Sequence, residues 1–155
     1  MKHISEQYRA CEKARKILED GGYTCVLTDG DTVYTSHLRG VKPLVQFLES
    51  GTVPPGFSAA DKVVGRATAY LYVLLGVRVL YSQVISEPAI SVLRSHGIEV
   101  QYGTLVPNII NRKGDGICPF EAAVMAINDP AVAYAAILQK MRELNITILQ
   151  REDLK

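Results

Sequence analysis

Tryptophan is absent from the 155-residue sequence, and only three histidines and three cysteines are present. Cys11, Cys25 and Cys118 are odd in number and widely spaced, which argues against a disulfide framework and suits a reducing cytoplasm. His3, His37 and His96 are equally scattered, so no two cysteines or histidines form a close metal-binding pair. An excess of one charge is also missing. The net charge is +1 and no run of like charge occurs, so neither a nucleic-acid footprint nor a charged tail is expected. Long hydrophobic runs are lacking too. The most apolar region, from Ala67 to Ile85, is broken by Gly76, Arg78, Ser82 and Gln83, whereas a membrane span needs roughly 20 predominantly apolar residues. The segment from Met1 to Asp20 is polar, without the apolar core of a secretory signal. Internal repeats and low-complexity segments are absent.

What is present is ordinary globular material, 48% apolar and 21% charged, enough for one domain with a single sizeable core. That domain is expected to span residues 1–155, with an N-terminal helix in 1–22, a core of sheet and helices in 23–111, and C-terminal helices in 112–155. Tyr8, Cys11, Ala14, Ile17 and Leu18 recur at spacings of three and four between Ser5 and Asp20, an amphipathic helix stopped by Gly21-Gly22. Two β-rich runs flank Asp29-Gly30, a hairpin signal with positive φ available at both turn positions. A short helix is predicted over Gly40 to Ser50, and the linker GTVPPGFS follows it.

Ser58 is predicted to open one long helix reaching Leu75, with Asp61 three residues on as its capping-box partner. Val77 to Ile85 reads as a central strand, Glu87 to His96 as a helix capped by Ser86, and Ile98 to Gly103 as the next strand. A further strand over Thr104 to Asn111 would return through Gly103, with Pro107 favouring an edge. Cys118 to Ile127 and Pro130 to Leu144 read as helices. A hairpin joined to strands linked by right-handed helical crossovers makes a three-layer α/β/α sandwich with a mixed sheet of about five strands.

The segment VRVLYSQVISEPAISVLRSHGIEVQYG runs strand, Glu-Pro, helix, Gly-Ile, strand, Tyr-Gly. It resembles the core of the cytidine deaminase-like superfamily, and the likeness extends over Tyr23 to Asn111. Within that superfamily it looks most like an uncharacterised prokaryotic branch that keeps the scaffold without the zinc motifs. In the zinc deaminases a Pro-Cys-x-x-Cys pair and a His/Cys-x-Glu pair hold the metal and move protons. Ala89 and Val92 stand at the first pair's positions, and neither side chain can ligate zinc. The second pair falls on Arg66 and Thr68 when GRATAYL is matched by wording, or on Ala60 and Lys62 when it is matched by the expected helix start. Neither choice supplies a ligand and a base, so no metal site, no cofactor and no zinc-dependent deamination are expected. The resemblance places an old pocket at two helix N-termini, lined by Lys62, Arg66, Ser86 and Glu87. Members of the superfamily often form oligomers, which implies a homo-oligomer.

Read from the residues alone, Lys62 and Arg66 lie four apart on the expected helix, where a bound anion would relieve their repulsion. The alternative is a solvated cationic stripe. Cys118 precedes Pro119 at a helix start, with Glu121 in the capping-box position. A helix N-terminus lowers a thiol pKa, so Cys118 with Glu121 as acid or base is a candidate catalytic pair. Its bland counterpart is a buried small residue beside a capping glutamate. The polar loop carrying Asn108, Asn111, Arg112, Lys113 and Asp115 is a further place for ligand contacts. Three functions stay open: a binding domain for a small anionic or nucleotide-like metabolite, a cysteine-dependent transferase or sulfur-handling enzyme, and a structural or oligomerisation module. No membrane partner is expected.

Overall fold

The computed structural model describes residues 4–147. Its elements in chain order are α1 (Ile4–Gly21), β1 (Cys25–Thr28), β2 (Val33–Ser36), α2 (Lys42–Ser50), β3 (Ser58–Val64), α3 (Arg66–Leu75), β4 (Val79–Ser86), α4 (Glu87–Ser95), β5 (Glu99–Val106), α5 (Pro119–Val124) and α6 (Pro130–Glu143). The sheet order is β2-β1-β3-β4-β5. β1 runs antiparallel to both β2 and β3, while β3, β4 and β5 are mutually parallel. The expected mixed five-stranded α/β sandwich is therefore the fold.

Among the described residues, helix α1 alone covers one face. Its stripe of Cys11, Ala14 and Leu18 packs on Val26, Ala60, Val79 and Tyr81, as the three-and-four spacing requires. The opposite face carries the larger core, into which α2, α3, α4 and α6 send Leu44, Leu71, Leu93 and Ile137. The hairpin closes through a four-residue turn. Asp29 Oδ1 accepts from the amides of Asp31 and Thr32 at 2.9 and 2.8 Å, and only Gly30 adopts positive φ.

The long helix expected from Ser58 is corrected: its first seven residues are β3. β3 lies between β1 and β4 and is covered on both faces, so Ala59 faces the larger core while Ala60 faces α1. A doubly buried strand has no polar side, and its apolar run imitates a buried helix. The separate strand over Thr104 to Asn111 is also corrected. β5 continues straight through Gly103, where a Cβ would lie 2.9 Å from the Gln83 carbonyl oxygen, and pairing ends at Val106 before Pro107. Beyond it only an isolated bridge joins Ile110 to Ile117. α5 stops at Val124, three residues short of the expected Ile127.

Near the C-terminal ends of β3 and β4 the inside–outside alternation slips by one residue. Ala59 and Val64 face the same core although five residues apart, as do Leu80 and Ile85. Local bonds from the Val63 amide to Asp61 Oδ1 (3.2 Å) and from Ser82 Oγ to the Val84 carbonyl (2.5 Å) lie within the slip. It turns Val63 outward and delivers Val64 inward, directly before α3.

Candidate functional site

In open α/β sheets the carboxyl ends of parallel strands are where ligands gather. At that end Gly65 caps α3, and β4 passes without a loop into α4, whose first turn Ser86 caps by accepting from the Ala89 amide at 3.3 Å. Glu121 of α5 reaches across to α3. Its Oε1 accepts from the Arg66 amide at 2.7 Å and its Oε2 from the Ala67 amide at 2.8 Å. A carboxylate there meets two free amides and the positive end of the helix dipole. The Arg66 guanidinium returns the contact, donating through Nε to the Val124 carbonyl at 3.1 Å and through Nη2 to the Ile127 carbonyl at 2.5 Å. Beside this clasp, Arg66, Pro88, Asn108, Glu121 and Met125 line a cavity of about 180 Å³. A depression of about 380 Å³ beside α1 is larger, but Lys13, Lys16, Asp20 and their neighbours form it from exposed or half-exposed side chains.

The family model described as TM1506, a domain of unknown function (DUF1893), matches residues 13–141. The chain belongs to the DUF1893 family. A crystal structure of a DUF1893 family protein (TM1506) from Thermotoga maritima is similar, with a TM-score of 0.79 at 26% identity over 85% of this chain and 90% of that one. No curated protein matches.

Of the residues proposed from sequence, this DUF1893 domain brings Arg66, Glu121 and Asn108 to the cavity lining and leaves Lys62, Ser86, Glu87 and Cys118 outside it. Lys62 sits exposed on β3, so the shared helical face expected for Lys62 and Arg66 does not exist. Ser86 is buried as the α4 cap, and Glu87 is exposed in the first turn. Cys118 is half-buried at the N-cap of α5, and its thiol makes no capping bond. The capping box expected with Glu121 is absent: the Cys118 amide donates to the Ile109 carbonyl, while the glutamate is spent on α3. The match of the second deaminase pair to Ala60 and Lys62 falls with the helix start, since both lie on β3. Arg66 and Thr68 do lie in the first turn of α3, where Thr68 Oγ1 accepts from the Gly65 amide at 3.0 Å. Ala89 and Val92 are buried in α4. Among the described residues no group of three or more His, Cys, Asp or Glu side chains can hold a metal ion.

Asn108 and Met125 complete the lining, and of the polar loop only Asn108 reaches it. Their signal in sequence was slight, because nothing local to either residue points at α3. A second polar cluster lies inside the core. Tyr72 donates its hydroxyl to Asp61 Oδ2 at 2.6 Å and lies 3.3 Å from Cys25 Sγ. Burial pushes the Asp61 carboxyl up to about 7, against the lowering effect of the Tyr72 hydrogen bond. Burial, with Asp61 alongside, also pushes the Tyr72 and Cys25 groups well up.

Proposed function

We propose that the domain binds a small metabolite bearing a carboxylate or similar anionic group, in the cavity between α3, α4 and α5, without hydrolytic deamination. The observation that carries this reading is the cavity wall itself. An internal carboxylate is already favoured at this corner, and beside it Arg66 and the Asn108 amide border unfilled space. At about 180 Å³ the cavity is below the usual 300–1,000 Å³ of ligand pockets, so it suits a small acid and not a whole nucleotide. The test is a thermal-shift panel of small carboxylates, inorganic phosphate and nucleotides, run on wild type and Asn108→Leu. A hundredfold excess over Kd stabilises by about 2.7 kcal/mol. Small acids are expected to raise the Tm of wild type alone, and a flat panel at millimolar concentration overturns the reading.

The cysteine-dependent reading has no comparable support, because the glutamate that would serve Cys118 is engaged on α3. We read the scaffold as deaminase-like on the hairpin–strand–helix–strand–helix–strand order and on two helix starts meeting at one end. A specific observation favours self-association as a second property. β5 is an eight-residue edge strand on which no residue is fully buried, with Tyr102 and Leu105 at 41% and 40% exposure. Glu99 is its single charge, so the lysine, proline and bulge devices that blunt an edge are missing.

A further inference from the structure

We propose that residues 107–128 form a latched strap over the cavity and that the Glu121 carboxylate is its latch. In this segment only Glu121 and Val124 are buried, while Ile110, Ile117 and Met125 remain 53%, 37% and 55% exposed. Twenty-two residues are thus seated on the body by one fully buried core side chain, Val124, by Phe120 and Ile127 packed part-buried against the same core, and by a set of polar ties. Those ties converge on the first turns of α3. Glu121 takes the Arg66 and Ala67 amides, the Arg66 guanidinium takes the Val124 and Ile127 carbonyls and Asn128 Oδ1, and the Tyr70 hydroxyl donates to the Ile127 carbonyl.

The strap is also cross-linked to itself. The Asn111 amide donates to the Gly116 carbonyl at 2.8 Å, the Cys118 amide to the Ile109 carbonyl at 3.0 Å, and Asn111 Nδ2 to Asp115 Oδ1 at 2.9 Å. These bonds survive when the segment lifts, so it moves as a unit. Gly65 makes the latch fit. A Cβ there would lie 2.5 Å from the Glu121 carboxyl carbon, although the φ of −103° suits any residue. Alanine at 65 would therefore push the carboxylate out while leaving Glu121 in the chain.

Lifting the strap withdraws Asn108, Glu121 and Met125 from the cavity wall and bares the α3 amides, widening a part-open cavity into a cleft. That consequence for ligand access rests on the binding reading above; the latch itself does not. Hydrogen exchange followed by mass spectrometry on wild type, Glu121→Gln, Glu121→Ala and Gly65→Ala tests it without any ligand. Losing two charge-assisted bonds is expected to speed exchange of strap amides by about 10- to 100-fold in Glu121→Ala and Gly65→Ala. Glu121→Gln, which retains one acceptor, falls between. Exchange in α1, β3 and β4 stays at the wild-type rate. Unchanged strap exchange in both Glu121→Ala and Gly65→Ala overturns the proposal, as does a uniform rise across strap and core, which would make Glu121 a global anchor. A failed ligand screen leaves this result standing, and a failed latch leaves the cavity to be judged by the screen.

Discussion

Asp61 shows how far one residue can depart from its sequence reading. Three positions after Ser58 it looked like a helix cap, but it is a buried acid on a central strand, hydrogen-bonded to Tyr72. Its carboxyl is raised from 3.8 to about 7, so between those values the folded chain keeps a proton that the unfolded chain has lost. Stability then falls as pH rises through that window and levels off above it, by up to about 4 kcal/mol. Urea titrations at pH 5 and pH 8 span the upper part of that window and should show a loss of about 3 kcal/mol in wild type and little in Asp61→Asn; the same pH dependence of stability in both would refute the assignment. The cysteines divide by burial in the same way. Cys11 and Cys25 are 0% and 1% exposed, and burial pushes the Cys11 thiol up to about 12. Alkylation at pH 8 should label Cys118 in the native protein and the other two only on unfolding. Glu121 was legible as a residue of interest but not in its role, because its partners on α3 lie more than fifty residues away.

At the scale of elements, the parts with a local cause were legible. The three-and-four stripe of α1, the Asp29-Gly30 hairpin, the Ser86 cap and the stop after α4 all follow from neighbours within a few residues. β3 was not, because its environment is set by β1, β4 and α1, and two covered faces erase the alternation that marks a strand. The strap was opaque for the opposite reason, since its exposed polar sequence reads as any loop. The α3 terminus gives an element-level prediction. Gly76 ends the helix at φ +75°, and a Cβ would stand 2.8 Å from Pro55 Cβ, where the Gly56 amide donates to the Gly76 carbonyl at 2.9 Å. Gly76→Ala combines left-handed strain with a steric conflict and should cost about 1–3 kcal/mol. A denaturation midpoint matching wild type would count against it.

For the whole molecule, the open edge at β5 predicts pairing with a second copy. Sedimentation at about 10 μM should give a dimer for wild type and a monomer for Leu105→Lys, since an edge lysine resists strand addition. A monomeric wild type would remove self-association from the account. The layer formed by α1 has a different consequence, one that concerns how the chain is made. Its apolar stripe is translated before the surface it needs, which includes Val79 and Tyr81 of β4, more than sixty residues beyond Leu18. A lone helix of this length is marginal in water. During synthesis, the chain through β4 must emerge before that stripe has its full floor. Stalled nascent chains ending before Val79 should therefore present α1 to proteases and chaperones, and chains extended beyond β4 should withdraw it.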